Sequence, residues 1–268
     1  RMTILGVIPA ISGSKDSVNN YRIKFLGKKK QISNKNITRK LITRENPRSP
    51  ISEAYRSLRT NMIYNDVDSK IKSILVSSAG PGEGKTTTVA NMAITYANLG
   101  KKTLLVDTDL RRPVVHKIFD LKKEPGVTNY LAGTENDFSS LIKNSNIDNL
   151  FVVTSGVIPP NPSELLGSSK MEKLINRLEQ EWDIILFDSP PLVAVTDATM
   201  VSKAIDKIII VVKVGHTEKK AFEHTIKSLE TVKAPVAGVV LNAVTQSNSY
   251  GSYYYYYQYY NYYGSDSD

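Results

Sequence analysis

No stretch constrains this chain more than residues 74–88, ILVSSAGPGEGKTTT. The apolar run Ile74, Leu75 and Val76 predicts a buried strand, and the glycines that follow, Gly80, Gly82 and Gly84, let the backbone curl until several N–H groups point inward. Lys85 and Thr86 then open a helix. Such a nest of positive partial charge at a helix N-terminus suits nucleotide phosphates, with Lys85 as a mobile cation and the Thr86 hydroxyl as a magnesium ligand. The candidate nucleotide-binding residues are therefore Gly80, Pro81, Gly82, Glu83, Gly84, Lys85, Thr86 and Thr87. Ala79 stands where the G-x-x-x-x-G-K-[ST] pattern has glycine, a small departure. The plain alternative is a glycine-rich turn. It is outweighed because strand, loop and a long amphipathic helix over 86–98, closed by Gly100, all occur together.

From residue 71 onward, apolar strands alternate with amphipathic helices. Strands are predicted at 71–77, 103–107, 150–154, 183–188, 207–214 and 235–242, and helices at 86–99, 168–180, 196–205 and 217–232. This is the pattern of an α/β fold with a mostly parallel central sheet flanked by helices on both faces. Ligands in such sheets sit at the carboxyl ends of strands. Two carboxylate signatures stand there, Asp107-Thr108-Asp109-Leu110-Arg111 and Asp188-Ser189-Pro190-Pro191. An aspartate closing a buried strand beside a phosphate loop is the expected holder of Mg²⁺, which takes a few hard oxygens and keeps substrate phosphates and water. Asp107 and Asp109 point to opposite sides if the strand runs through both, so one can face the metal while the other accepts a proton. Arg111 is a candidate for stabilising phosphoryl charge, with a structural ion pair as the equal alternative.

The net charge of +9 belongs to the N-terminal arm, where twelve Lys and Arg residues within 1–49 face only Asp16 and Glu45. The remainder is close to neutral, so nucleic acid is not an expected partner. The cluster Arg22, Lys24, Lys28, Lys29, Lys30, Lys35, Arg39 and Lys40 reads as a solvated linker. The sharper reading is attraction to an anionic membrane leaflet, at about 1 kcal/mol per basic residue. Ahead of it, residues 2–10 (MTILGVIPA) are apolar and predict an extended or strand-like piece that docks on a surface. Ser49 and Pro50 signal a helix start, and Ile51, Tyr55, Leu58 and Met62 make its apolar stripe. Glu53, Arg56 and Arg59 lie on another face; on composition they read as a solvated, salt-bridged surface. The chain has no cysteine and three scattered histidines, which excludes disulfides, thiol nucleophiles and Cys-based zinc sites. No apolar run reaches the roughly 20 residues that span a bilayer, and no signal peptide is visible, so the chain as given reads as soluble. Its start at Arg1 suggests a fragment.

At the far end, ten of fifteen tyrosines fall between Tyr250 and Tyr263, in a tail without aliphatic residues or basic ones. A stacking platform for single strands would interleave Arg or Lys. An adhesive low-complexity tail is the bland alternative. Beside a phosphoryl-transfer loop the economical reading is a set of phosphate acceptors, Tyr253, Tyr254, Tyr255, Tyr256, Tyr257, Tyr259, Tyr260, Tyr262 and Tyr263.

With these motifs together, the sequence resembles the bacterial tyrosine kinases of capsule and exopolysaccharide synthesis over about residues 46–268. It matches their Walker A at Ala79 to Thr86, Walker A′ at Leu104 to Arg111, Walker B at Ile185 to Pro191, and the terminal tyrosine cluster. The resemblance implies a P-loop NTPase fold of the MinD/ParA-like type and an ATP- and Mg²⁺-dependent protein-tyrosine kinase. It implies catalytic Lys85, Asp107, Asp109 and Arg111, metal ligation by Thr86, Asp109 and Asp188, and Asp107 as receiver of the tyrosine proton. It also places Glu53, Arg56 and Arg59, the E-x-x-R-x-x-R pattern, at the contacts of a ring-shaped homo-oligomer, against the composition-based reading. The stretch Gly156-Val-Ile-Pro-Pro-Asn161-Pro162-Ser-Glu164-Leu165 belongs to the resemblance with no derivable role.

Residues 1–30, with Leu5-Gly6-Val7-Ile8-Pro9, resemble the cytoplasmic tail of the transmembrane polysaccharide co-polymerase that activates such kinases, as in the staphylococcal capsule system; the resemblance implies a join to the kinase between residues 25 and 37 or, alternatively, one natural polypeptide carrying both halves. The implied organisation is an activator-tail-like segment at 1–30, a basic linker at 31–48, a kinase domain at 49–248 and the tyrosine tail at 249–268. The implied place is the cytoplasmic face of the bacterial membrane, with a tyrosine phosphatase and polysaccharide-synthesis enzymes as further substrates. The rival is a nucleotide-switched ATPase of the MinD/ParA type, which carries a second lysine early in its loop. This chain has Gly80 there and adds the tyrosine cluster. Asn242, at a strand end, is a possible base contact or an ordinary turn residue.

Overall fold

Apolar runs long enough for a strand but polar at neither face must be covered twice, and the architecture follows from that. The structure, a computed structural model, describes residues 2–10, 41–64, 71–193 and 197–245. The basic cluster between Arg22 and Lys40, the join expected at 25–37 and the terminal tyrosines lie outside the described residues.

In chain order the elements are β1 (Ile4–Pro9), α1 (Ile42–Glu45), α2 (Pro50–Tyr64), β2 (Ser73–Ser78), α3 (Lys85–Ala97), β3 (Thr103–Asp107), α4 (Val115–Ile118) and α5 (Val127–Leu131). They continue with β4 (Lys143–Ile147), β5 (Leu150–Val153), α6 (Pro162–Leu166), α7 (Ser169–Glu181), β6 (Ile184–Asp188), α8 (Asp197–Val201), β7 (Lys207–Lys213), α9 (Lys219–Thr231) and β8 (Val236–Val244). The eight strands form one sheet in the order β1-β8-β7-β2-β6-β3-β5-β4. All neighbours are parallel except the β4–β5 pair at one edge. Successive side chains of a strand face opposite sides. Ile74 and Val76 accordingly enter the core under α2 and α3, while Leu75 enters the one under α7 and α9. The parallel sheet with helices on both faces is as the sequence predicts, and the strand bounds agree to within two residues.

Three local differences carry physical reasons. Helix α3 is buried on nearly every side rather than amphipathic, because α1 and α2 cover its outer face. Polar residues there find internal partners: Thr43 donates its hydroxyl to Asn91 Oδ1 at 2.8 Å, and Arg59 Nη1 donates to the Thr95 carbonyl at 2.6 Å. Consequently the stretch expected as linker up to residue 48 is folded from Leu41 on, with Leu41 and Thr43 buried. The helix expected over 196–205 is shorter, α8 followed by a 3₁₀ turn at Ser202–Ala204. Helix α2 starts as predicted, with Ser49 Oγ accepting the Ser52 N–H at 3.2 Å and Pro50 leading.

The apolar N-terminal piece does dock, as strand β1, parallel to β8 at the sheet edge. Leu5 and Ile8 enter the core, Gly6 lies against Leu58 of α2, and Asn61 Nδ2 donates to the Leu5 carbonyl at 2.8 Å. Its place is three strands from β2, about 14 Å from the P-loop strand at the usual inter-strand spacing.

Candidate active site

The carboxyl ends of β2, β6 and β3 meet at the loop 79–84 and the first turn of α3. Gly82 (φ 76°) and Gly84 (φ 98°) hold left-handed backbone that side-chain-bearing residues rarely adopt. Gly84 is doubly required, because a Cβ there would lie 2.1 Å from Asn242 Nδ2. The curled loop and the N-terminus of α3 together aim N–H groups and the positive end of the helix dipole at one place.

Within the loop, Glu83 differs from the expectation for a nucleotide-binding side chain. Its carboxylate folds back and accepts N–H groups from Ala79, at 3.1 Å, and Gly80, while the Thr217 hydroxyl donates to it. Burial raises its proton affinity, and these bonds together with nearby His216 offset part of the rise. The Glu83 side chain and the Gly80 N–H thus shape the loop from inside. Pro81 and Gly82 are exposed at the loop tip.

Lys85 donates to Asp109 Oδ2 at 2.9 Å and to Thr86 Oγ1 at 3.3 Å. Burial alone would lower the lysine, but Asp188, Asp109 and Asp107 outweigh it and hold the ammonium above its usual range. Asp107 closes β3 in register with Asp188 closing β6, and both are fully buried. Asp107 accepts the N–H groups of Asp109 and Val115, each at 3.2 Å. Burial, then the charges of Asp188 and Asp109, push its carboxyl well above the ordinary carboxylate range. The two aspartates of the Walker A′ stretch are divided: Asp109 pairs with the lysine, and Asp107 is turned into the sheet end with its proton affinity raised.

Three carboxylates against one ammonium leave excess negative charge in a water-poor place, which a divalent cation would balance. Among the described residues no three acidic or histidine side chains form an all-protein cage. Mg²⁺ is held by one or two carboxylates and substrate phosphates. Thr86, Asp109 and Asp188 fit this donor set.

Arg111 lies on the exposed side, where its Nη2 donates to Ser163 Oγ of α6 at 3.3 Å. This gives the stretch around Asn161 and Pro162 a role that its sequence did not show, a short helix whose Leu166 is anchored in the core and whose first turn meets Arg111. Glu53 and Arg56 pair with each other on α2, and Arg56 also reaches the Pro47 carbonyl. Arg59 instead turns onto α3. Sequence reasoning did not find the Glu83–Thr217 contact. Nor did it find that Asn242 Nδ2 donates to the Glu83 carbonyl at 2.8 Å, a supporting contact to the loop rather than a turn. The only local signals were a carboxylate inside a phosphate loop and an amide at a strand end.

A glycine-rich loop on β2, a lysine at the head of α3 and aspartates at the ends of the two next strands define an ATPase-type P-loop domain. The AAA domain family model matches residues 71–238. Against known proteins, the chain is 40% identical to the tyrosine-protein kinase YwqD of Bacillus subtilis, over 80% of this chain and 90% of that one. It superposes on the chimerical protein CapA2B2 with a TM-score of 0.78 and 34% identity, covering 91% and 96% of the two chains. The septum site-determining protein MinD of Pyrococcus horikoshii, at 21% identity and a TM-score of 0.56 over 67% and 74%, shares the fold. The chain belongs to the bacterial tyrosine-protein kinases.

Proposed function

We propose that this kinase moves the γ-phosphoryl group of ATP onto the tyrosines of its own C-terminal cluster, Tyr253 to Tyr263, on a neighbouring copy. The observation that carries the reading is the division of the two aspartates beside Lys85. The tyrosine oxygen bonds to the γ-phosphorus, the bond to the β,γ-bridging oxygen breaks, ADP leaves, and the phenolic proton passes to Asp107, whose buried carboxylate has raised proton affinity. Lys85 and the α3 N-terminus hold the phosphates in line, and Asp109 keeps the ammonium aimed. Arg111, steadied by Ser163, faces the open side, where charge spreads on the transferring group. Thr86, Asp109 and Asp188 would hold Mg²⁺, which would supply neutralisation of phosphate charge.

Likeness to relatives supports a wider setting for this reading. Relatives named as tyrosine-protein kinases support regulation of capsule or exopolysaccharide synthesis, and likeness to a CapA2B2 chimera supports residues 1–30 as the tail of a membrane activator. In that setting the kinase works at the cytoplasmic face of the membrane as a ring, with Glu53, Arg56 and Arg59 at its contacts. Each phosphorylated tyrosine adds about −1.5 to −2 charges, so a heavily modified tail is repelled and the ring loosens. A tyrosine phosphatase and synthesis enzymes are further substrates.

The experiment is intact-protein mass spectrometry after incubation with ATP and Mg²⁺. A Lys85→Met chain that keeps its tail is mixed with an active chain truncated before Ser249. Phosphate appearing on the inactive partner establishes transfer between copies. ATP hydrolysis without phosphate on any chain overturns the kinase reading in favour of a switch ATPase.

A further inference from the structure

Strand β8 is not regular where it passes the phosphate loop. Along the β1–β8 ladder Val7 pairs with Leu241 and Pro9 with Val244, so two steps on β1 span three on β8. The extra residue falls at Asn242–Ala243, and Ala243 sits at φ 56°, a left-handed conformation that a Cβ disfavours. This is a β-bulge, a device that re-aims a side chain, and here it accompanies the Asn242 amide reaching the loop. Asn242 Nδ2 donates to the Glu83 carbonyl and occupies the space beside Gly84 that a Cβ would take.

A strained residue persists only when its surroundings hold it from several sides. On one side β7 pairs Lys213 with Asn242, and the Val214 N–H donates to the Asn242 carbonyl at 3.0 Å. On the other, β1 pairs Pro9 with Val244, and the Ala10 N–H donates to the Val244 carbonyl at 2.9 Å. Strand β1 therefore clamps the C-terminal side of the bulge.

We propose that Asn242 is a positioning residue through which the docking of residues 4–10 on β8 sets the phosphate loop, with the Asn242–Ala243 bulge as the element that has two arrangements. With β1 paired, the bulge is held and the amide supports Glu83 and Gly84 from below. With β1 absent, Ala243 relaxes toward ordinary strand geometry, the amide swings off the loop, and nucleotide is held less tightly. The proposal deepens the reading of the N-terminal arm as an activating segment and rests on it.

The test is equilibrium titration with ADP and Mg²⁺ on the full chain and on variants whose melting curves show them folded. The variants are deletion of residues 1–10, Asn242→Ala, the two combined, and Ala243→Gly in the deletion background. Because Leu5 and Ile8 belong to the core, Ala10→Pro serves as a milder second route; it breaks the N–H bond donated to Val244 and leaves Leu5 and Ile8 in the chain. The deletion and Asn242→Ala are each expected to weaken nucleotide binding about fivefold, the size of one hydrogen bond, and together no more than either alone. Ala243→Gly removes the penalty of the left-handed backbone and is expected to restore most of the affinity lost by the deletion. Losses that multiply in the combined variant, or no rescue by Ala243→Gly, overturn the link while leaving an activating arm intact. An unchanged affinity on deletion and in Ala10→Pro overturns both the link and the activating arm, and leaves the kinase assignment standing.

Discussion

The two flanks of the P-loop strand β2 do opposite jobs. On the β6 and β3 side stand charges: Asp188, Asp107 and Asp109 against Lys85. On the β7 and β8 side stand supports, the Thr217 hydroxyl on Glu83 and the Asn242 amide on the Glu83 carbonyl. Charge is concentrated where a phosphoryl group would react, and uncharged donors hold the loop that presents it. The contrast shows how one loop can be both reactive and steady. A second set of full charges behind the loop would compete for Lys85, whereas hydroxyl and amide donors shape the backbone without altering the field at the phosphates.

The largest expected effect lies on the charged flank. Lys85→Met should cut phosphate incorporation at least about a thousandfold, the scale for removing a charged donor at the transferring group, read by intact mass. Asp107→Asn should lower the turnover number about a hundredfold with little change in the ATP KM. Because it also removes a buried charge repelled by Asp188 and Asp109, its melting midpoint should not fall below that of the parent. A drop in midpoint with turnover intact would reverse the roles drawn for the two flanks.

The supporting flank should respond more mildly. Glu83→Gln, which keeps only one acceptor of two, is expected to raise the ATP KM about fivefold and spare turnover. Glu83 binds its proton more tightly folded than unfolded. Its contribution is full at low pH and is lost as pH rises through the folded value, above the ordinary carboxylate range. Melting of the nucleotide-free protein should therefore fall more steeply with rising pH in the parent than in Glu83→Gln. Equal slopes would place the carboxyl in water. The smallest effect belongs to neither flank: Glu223→Ala breaks an exposed pair with Lys219 on α9 and should move the melting midpoint by about a degree or less.

Much of the site could be read from the chain because its parts are local. The loop, its lysine and its hydroxyl are contiguous, and Asp107 and Asp188 each end an apolar run that reads as a buried strand. The short pieces α1, α4, α5 and α6 were not foreseen, since four or five residues carry no helical period. Arg59 looks solvent-facing by pattern and is turned inward only because α2 lies across α3. Strand β1 is apolar enough to be expected on a surface, yet which surface depends on the open edge that β8 offers.

What the sequence determined by itself is the chemistry on hand: a phosphate loop, aspartates at strand ends and a mostly parallel sheet to carry them, all coded in spacing and hydrophobic pattern. What only the tertiary structure decided is how identical groups are told apart. Asp107 and Asp109 are the same side chain two residues apart. Asp107 is held well above the ordinary carboxylate range because burial encloses it and β6 brings Asp188 beside it, while Asp109 pairs with Lys85 from the head of α3. Proton affinity is set by burial and by neighbouring charge, and both are properties of packing between segments distant in the chain.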